Sequence, residues 1–282
     1  EGAQPLSARG VNRFAGAFFR AEPSAQSPGL LRMQNRIEHR LPGWGKRIGR
    51  HRLCLTPWAA SLQHLFPSFP NAPSERPMAV YFHEEDLPAG VLAPGPIAVD
   101  TETMGLITPR DRLCVVQLSD GGGDEHLVRF ANGSAYDAPN LKAVLADPAR
   151  LKLFHFARFD LAAIEYYLGV TATPVFCTKI ASKLTRTYTD RHGLKFLVNE
   201  LLGTDISKQQ QSSDWGAPEL SDAQREYAAS DVRYLHRLHD ILVRRLEREG
   251  RSGIAQACFE FLPTRARLDL AGWADKDIFS HE

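Results

Sequence analysis

The sequence predicts an α/β fold, in which a mixed sheet of five strands is flanked by helices. Short apolar runs of strand length alternate with segments of helical spacing, and turns rich in glycine and proline separate them. The chain has 282 residues, of which 43% are hydrophobic, and this is enough for one substantial core. Such an alternation of elements favours a sheet that is covered by helices.

The first predicted strand is Ile97–Thr103, which follows the turn at residues 94–96. The other predicted strands are residues 113–118, 126–130, 151–156 and 175–177. Gly105 and Pro109 make the turn after the first strand, and three glycines at 121–123 make the next turn. Because these two connections are short, the first three strands are expected to be antiparallel neighbours.

Helical spacing follows the strands. The predicted helices cover residues 140–146, 159–168, 180–184 and 194–202, and a long one reaches about residue 249. Gly169 and Gly203 are expected to end two of them. Ser221 and Gln224 have the spacing of a capping box, which predicts the start of the long helix.

Residues 1–77 differ in composition from the rest of the chain. They carry nine of the 18 prolines, and their 11 Lys and Arg against 4 Asp and Glu give a charge of +7. We expect a basic extension of low structure, since no helix or strand periodicity runs through it. A disordered arm, an Arg-rich leader and upstream sequence translated from a misplaced start codon are the three interpretations. We favour the last, in which Met78 is the true start of the folded domain, residues 78–282.

Charge, hydropathy and cysteines limit the possible partners. Because the whole chain has a net charge of +1, residues 78–282 carry −6. An acidic body is not expected to grip a long nucleic acid by its backbone. No run of about eighteen apolar residues occurs, so no membrane partner is expected. The four cysteines form no Cys-x-x-Cys pair, which argues against a zinc cluster and fits a reducing cytoplasm.

Four acidic residues form a candidate metal site. Asp100 and Glu102 stand two residues apart on the first strand, so they project to the same side, where two like charges are costly without a cation. Asp160 follows a later strand, and Asp231 lies on the long helix one turn after Tyr227. Singly, Asp100 and Glu102 could be a solvated strand end, and Asp160 could be a partner of the helix dipole. Asp231 could be a buried, hydrogen-bonded acid. Together their oxygen ligands favour Mg²⁺ or Mn²⁺.

Three motifs carry a resemblance to a known superfamily. Asp100-x-Glu102, the segment from His155 to Asp160, and Tyr227-x-x-x-Asp231 resemble the motifs of the DEDD exonucleases, which have a ribonuclease-H-like fold. A tyrosine four residues before the final aspartate is typical of the DEDDy branch, which includes ribonuclease D. Residues 78–282 are therefore expected to be a DEDDy 3′-5′ exonuclease domain.

Longer segments resemble one family within this branch. Residues 111–118, 176–195, 207–215, 272–273 and 277–279 are similar to the nano-RNase C (NrnC) family of alphaproteobacteria. The resemblance implies 3′-5′ hydrolysis of very short RNA, especially dinucleotides such as pGpG, to nucleoside 5′-monophosphates. It also implies a homo-octamer.

The resemblance also implies roles for individual residues. Two divalent cations, Mg²⁺ or Mn²⁺, would be held by Asp100, Glu102, Asp160 and Asp231, and Tyr227 would orient the attacking water. The residues expected to contact the substrate are Thr103, Met104, Gly105, Leu106, His155, Phe159, Arg186 and Arg191. Each of these has a simpler interpretation. Leu106 could only anchor its loop, His155 could be a core histidine, and the two arginines could belong to a solvated basic loop.

Two other functions are compatible with the sequence. The first is a ribonuclease D-like exonuclease that acts on longer RNA or DNA. The second is an inactive relative that only binds oligonucleotides, and the five intact catalytic positions argue against it. Dependence on a metal separates enzyme from binder, and a series of substrate lengths separates the two enzymes.

Overall fold

The computed structural model describes residues 78–207 and 209–281. The predicted extension at residues 1–77, with its interpretations, lies outside the described residues. The strands are β1 Ala79–Glu84, β2 Ile97–Thr103, β3 Leu113–Ser119, β4 Asp124–Arg129, β5 Lys152–Phe154 and β6 Val175–Cys177. The helices are α1 Pro139–Ala146, α2 Arg158–Ala163, α3 Thr178–Thr185, α4 Leu194–Leu202, α5 Asp222–Arg233, α6 Leu235–Arg248 and α7 Ser252–Leu268. A π-helical turn, Ile164–Leu168, continues α2.

The strands form one mixed sheet in the order β1-β4-β3-β2-β5-β6. β2, β3 and β4 are antiparallel neighbours, as their short connections predicted. β5 and β6 extend the sheet in parallel from β2, and β1 pairs in parallel with β4 at the other edge. This order places β2 inside the sheet, between β3 and β5.

Two details of the prediction were wrong. The sheet has six strands rather than five, because Ala79–Glu84 forms an edge strand whose partner β4 lies more than forty residues further along the chain. A strand whose pairing is so distant and whose residues are only partly buried gives a weak local signal. The predicted long helix is two helices: α5 ends at Arg233 and α6 begins at Leu235, with Tyr234, at φ −101° and ψ −6°, between them.

Each face of the sheet has its own apolar layer. The larger core combines one face of the sheet with buried residues from α2, α3, α4, α6 and α7. The smaller core lies between the other face and α5, and it includes Val115, Leu127, Trp215 and Ala228. The predicted capping box is present at the start of α5, where the Ser221 hydroxyl accepts the N–H of Gln224. Among the described residues, the structure has no helix with the length and apolarity needed to cross a membrane.

Candidate active site

The first two predicted acidic residues project from one face of β2. In the antiparallel pairing of β2 with β3, Asp100 lies opposite Gln117 and Glu102 lies opposite Val115. Val115 belongs to the smaller core beneath α5. Because directly opposed residues in a sheet share a face, both carboxylates are directed toward α5.

Helix α5 contributes the third carboxylate. One carboxylate oxygen each from Asp100, Glu102 and Asp231 lie within 4.8 Å of one another. Tyr227 precedes Asp231 by one helical turn, so it stands on the same side of α5. The structure therefore brings together side chains that the sequence separates by more than a hundred residues.

The fourth predicted carboxylate, Asp160, lies in the first turn of α2 and is buried. The Thr101 hydroxyl donates a hydrogen bond of 2.7 Å to one of its carboxylate oxygens. Among the neighbouring charges that raise the pKa of Asp100, that of Asp160 has the largest effect. Asp160 is thus close enough to act electrostatically on the three-carboxylate cluster.

Burial and mutual repulsion govern the ionisation of this cluster. Burial raises the pKa of Asp100 well above its usual value, and the charges of Asp160, Asp231 and Glu102 raise it further. The pKa of Glu102 is raised for the same two reasons. Burial raises the pKa of Asp160 to about 7, although the hydrogen bond from Thr101 opposes this rise. Four acids that are costly to ionise together are the setting in which a divalent cation is most stabilising.

The donor set and its surroundings fit such a cation. All the ligand atoms are carboxylate oxygens, which suit Mg²⁺ or Mn²⁺ rather than zinc. The Gln117 amide lies opposite Asp100, is fully buried, and has no hydrogen-bond partner among the described residues. A buried amide of this kind calls for an ordered water or a hydrated ion nearby. The residues present therefore fit a hydrated divalent metal.

The Tyr227 hydroxyl stays protonated at neutral pH. Burial raises the pKa of Tyr227 above its usual value, and the charges of Asp231, Glu102 and Asp100 raise it further. Trp215 holds the ring from the side, with the two ring centroids 6.0 Å apart. A protonated tyrosine at this position donates a hydrogen bond and does not act as a base.

Asp100, Glu102 and Asp231, but not Asp160, line a cleft of about 360 Å³, which also has a basic wall. Lys179 comes from α3, and Gly193, Leu194 and Lys195 come from the start of α4. Gly193 is the N-cap of α4 and supplies no capping side chain, so the first N–H groups of this helix keep their capacity to bind an anion. The cleft thus joins a metal-binding wall to groups that suit a phosphate.

The predicted substrate loop follows β2. Leu106 is 85% exposed and borders an apolar cavity of about 680 Å³ beside the metal cleft. Met104 is half exposed, and the Thr103 hydroxyl donates to the carbonyl of Gly105. A Cβ atom at Gly105 would collide with the carboxylate of Asp111, so the loop is closely held from beneath. The exposure of Leu106 argues against the interpretation that it only anchors the loop.

His155 and Phe159 both precede Asp160 in the chain, and they line two different cavities. His155 lines the metal cleft, and its Nδ1 lies 2.9 Å from the Thr178 hydroxyl oxygen. Because that hydroxyl donates to the carbonyl of Phe154, it accepts from His155, whose proton is therefore on Nδ1. Phe159 lines the apolar cavity next to Leu106.

The structure places the two predicted arginines in contacts within the protein. Arg186 is 1% exposed, and its guanidinium donates to the Glu200 carboxylate, to the Ser182 hydroxyl at 2.9 Å and to the Arg191 carbonyl at 2.8 Å. A phosphate could reach it only by displacing Glu200. Arg191 places its guanidinium 5.4 Å from the centroid of the Phe196 ring and does not line the metal cleft. The basic spacing of residues 183–195 thus includes a cation that stabilises the local fold.

Sequence reasoning did not single out several residues of the cleft. They are Phe156, Lys179, Ser207 and Gln211. Lys179 begins α3 directly after the parallel strand β6, and the carboxyl ends of parallel strands are where ligands usually bind. That position was a usable signal for Lys179. Phe156 follows the parallel strand β5 and had the same signal, whereas Ser207 and Gln211 reach the cleft only through the tertiary fold.

Comparison with known proteins agrees with this arrangement. A family model described as 3′-5′ exonuclease matches residues 81–247. Ribonuclease D of Gluconacetobacter diazotrophicus is 39% identical over 155 residues, which are 55% of this chain and 39% of that protein. The chain therefore matches less than half the length of this relative. The fold and the acidic cleft define the class of protein as the 3′-5′ exonucleases.

Two solved structures are similar over their whole length. Brucella melitensis NrnC bound to pGG is 57% identical, with a TM-score of 0.70, and the match covers 73% of this chain and 100% of that one. Brucella melitensis NrnC with bound Mg²⁺ is 56% identical, with the same TM-score and the same coverage. The chain belongs to the 3′-5′ exonuclease family and, within it, to the group of the NrnC nucleases.

Proposed function

We propose that this protein is a metal-dependent 3′-5′ exoribonuclease that hydrolyses very short RNA, especially dinucleotides such as pGpG, to nucleoside 5′-monophosphates. The observation that carries the proposal is the convergence of Asp100, Glu102 and Asp231 within 4.8 Å at the wall of a small cleft. The Brucella melitensis relative, which was solved both with pGG and with Mg²⁺, supports the substrate and the metal.

The metal ligands in this proposal are Asp100, Glu102, Asp160 and Asp231. Two divalent cations held there would acidify a water and stabilise the departing 3′ oxygen. The residues themselves supply negative charge that is too costly to maintain without cations, which favours tight metal binding. Tyr227 stays protonated, and its hydroxyl, which donates to the Asp231 carboxylate, orients the attacking water through its oxygen.

The proposed preference for dinucleotides depends on the basic wall of the cleft. Lys179 and Lys195, with the open first turn of α4 at Gly193, are suited to the terminal 5′ phosphate of a short substrate. A site that binds the terminal phosphate disfavours longer chains, because their phosphate is esterified and another nucleotide must fit. The −6 charge of residues 78–282 also gives little attraction for a long strand.

The substrate loop completes the proposed site. Thr103, Met104, Gly105 and Leu106 follow the strand that carries two metal ligands, so they lie where the 3′-terminal nucleotide would rest beside the cluster. The exposed Leu106 is suited to insert between two bases, with Phe159 in the same apolar cavity. In this proposal, the hydrogen bond to Thr178 keeps the His155 ring fixed at the cleft wall, where it can contact the nucleotide.

A series of substrate lengths tests the proposal. The full chain with Mg²⁺ is given 5′-labelled RNAs of two, seven and about twenty nucleotides at equal concentration. We expect the dinucleotide to be cleaved far faster than the others and all cleavage to stop in EDTA. Equal rates for all lengths would instead favour the ribonuclease D-like exonuclease, a candidate that the ribonuclease D relatives support. Metal-independent binding without cleavage would favour an inactive oligonucleotide binder.

A matched pair of variants tests recognition of the 5′ end. Lys195→Ala should remove most of the preference for a dinucleotide with a 5′ phosphate over one with a 5′ hydroxyl. Lys183→Ala is the control, since Lys183 also belongs to the basic segment but does not line the cleft. Identical behaviour of the two variants would contradict the role of Lys195.

The assembly is a separate proposal. We propose that the chain forms the homo-octamer that the family resemblance implies. Exposed apolar side chains near the carboxyl end, Trp273, Ile278 and Phe279, support further contacts between copies. Light scattering after size-exclusion chromatography should give eight times the mass of one chain, and a monomer at micromolar concentration would contradict the proposal. The cytoplasmic location that the cysteine pattern predicts stays a prediction.

A further inference from the structure

A strained phenylalanine lies beside the metal site. Three non-glycine residues in the described part of the chain have a positive φ: Glu85 at 66°, Tyr136 at 53° and Phe156 at 71°. This region of backbone conformation is disfavoured by the Cβ atom, and non-glycine residues that occupy it usually have a structural or functional reason.

The first two have a reason in their contacts. The Glu85 carboxylate accepts a hydrogen bond from the Ser134 hydroxyl. The Tyr136 hydroxyl donates to the carbonyl of Leu113 at 2.9 Å, and its ring lies 5.1 Å from the ring of Tyr167. Their side chains hold neighbouring segments together, so the strained backbone is offset by local bonding.

Phe156 differs, because it is 44% exposed. It follows β5 and precedes the helix that carries Asp160. The residue borders three cavities: the metal cleft, with Asp100, the apolar cavity of about 680 Å³, with Leu106, and a smaller one of about 280 Å³, with Lys179 and Phe261. A large apolar ring held at a cavity mouth by a strained backbone adds little to the core, so its position points to a ligand.

Lys179 sets which part of the ring is accessible. Its ammonium nitrogen lies 3.9 Å from the centroid of the Phe156 ring, a cation–π contact. Lys179 lines the metal cleft but not the apolar cavity next to Leu106. The side of the ring toward that cavity is therefore left for a flat apolar partner, and the cavity is large enough for a nucleobase.

We propose that Phe156 is a specificity-determining residue whose ring stacks on one nucleobase of the bound oligonucleotide, and that its strained backbone persists because it turns the ring into the cavity mouth. The proposal rests on the proposed nuclease function and deepens it. Stacking accepts any base, since every base has a π face, so Phe156 selects for the presence of a base rather than for its identity.

Two glycine variants separate this role from a structural one. Glycine adopts positive φ without strain, so Phe156→Gly relieves the backbone while it removes the ring. We expect its urea midpoint to equal or exceed that of the wild type. Tyr136→Gly is the matched control: it relieves the same kind of strain but loses a hydrogen bond and a ring contact, so its midpoint should fall. A fall for Phe156→Gly as large as for Tyr136→Gly would overturn the proposal.

The functional readout uses dinucleotides that lack one base. For a complete dinucleotide, Phe156→Gly should lower kcat/KM by about tenfold to a hundredfold, the range for loss of one base–aromatic stack. Two further dinucleotides each lack the base on one ribose. The one that lacks the base on which Phe156 stacks should be cleaved equally by wild type and variant. If the variant loses the same factor on both base-free substrates, Phe156 does not stack on a base.

A binding measurement keeps the test independent of catalysis. The same dinucleotides are titrated by calorimetry with Ca²⁺ in place of Mg²⁺, and the affinities should follow the pattern of the kinetic assay. Phe156→Gly should bind the complete dinucleotide more weakly than the wild type does, and one base-free dinucleotide equally well. If the wild type cleaves no RNA but this binding pattern is found, the proposed activity fails and the role of Phe156 stands. If the wild type cleaves dinucleotides but the variant binds complete and base-free forms as the wild type does, only the role of Phe156 fails.

Discussion

Replacing Asp160 by asparagine should stabilise the metal-free protein at alkaline pH. Asp160 is buried, and its pKa is raised from 3.8 to about 7. Because the pKa of this carboxyl is higher in the folded than in the unfolded state, its contribution to stability is fully present below the unfolded-state pKa. It is lost as the pH rises from about 4 to about 7. At pH 8 the pKa difference corresponds to a loss of about 4 kcal/mol in the free energy of unfolding, which the neutral amide of asparagine does not undergo. The Thr101 hydroxyl can donate equally to an amide oxygen.

The assay is urea unfolding in EDTA between pH 4 and pH 8.5. Asp160→Asn should match the wild type near pH 4 and exceed it increasingly toward pH 8, by up to about 4 kcal/mol of unfolding free energy. Added Mg²⁺ should raise the wild-type midpoint at pH 8 but raise the variant's much less, since one ligand is lost. The variant should also lose hydrolysis.

A control of opposite sign is available in Asp111. Arg110 lowers the pKa of Asp111 to about 2, so Asp111→Asn should lower stability at pH 8 and should show no gain with rising pH. If Asp160→Asn is less stable than the wild type at pH 8 in EDTA, the electrostatic account of the cluster is wrong. If it hydrolyses dinucleotides at the wild-type rate, Asp160 is not a metal ligand.

Three further changes have defined outcomes. Tyr227→Phe should lower kcat by roughly a hundredfold or more with little change in KM, because it removes the hydroxyl that orients the water and no substrate contact. Stopped assays at saturating dinucleotide measure this, and an unchanged kcat contradicts the role. Glu200→Ala should lower the free energy of unfolding by about 2 kcal/mol, since it leaves the buried Arg186 without its carboxylate partner. Urea unfolding measures this, and an unchanged free energy would mean that solvent replaces the ion pair. Gly105→Ala should raise KM, because the new Cβ collides with Asp111 and shifts the substrate loop. Mg²⁺ binding, measured by calorimetry as the control, should be unchanged.

Local periodicity was enough to predict several parts of this site. The period of two along β2 put Asp100 and Glu102 on one face, and the pairing with β3 agrees. The spacing of four put Tyr227 and Asp231 on one side of α5. These relations depend on backbone geometry within a few residues, which the sequence specifies directly.

Charge spacing was a weaker guide, as Arg186 illustrates. The sequence showed a basic residue among hydroxyl-bearing neighbours, a pattern that fits a phosphate site and a structural ion pair equally well. Only the fold decides that Glu200, fourteen residues further on, comes within bonding distance of the guanidinium. Burial and partner choice depend on how α3 and α4 pack, and that packing is not written in the local pattern.

The sequence alone determined most of the elements, the acidic residues of the candidate metal site, and the family to which the chain belongs. The tertiary structure decided that β1 completes the sheet at its edge, that the carboxylates of β2 and α5 meet within 4.8 Å, and that Phe156 stands strained at the cavity mouth. The physical reason is the range of the interactions. Backbone periodicity acts over a few residues, whereas strand pairing, burial and electrostatic coupling act between segments that only the folded chain brings together.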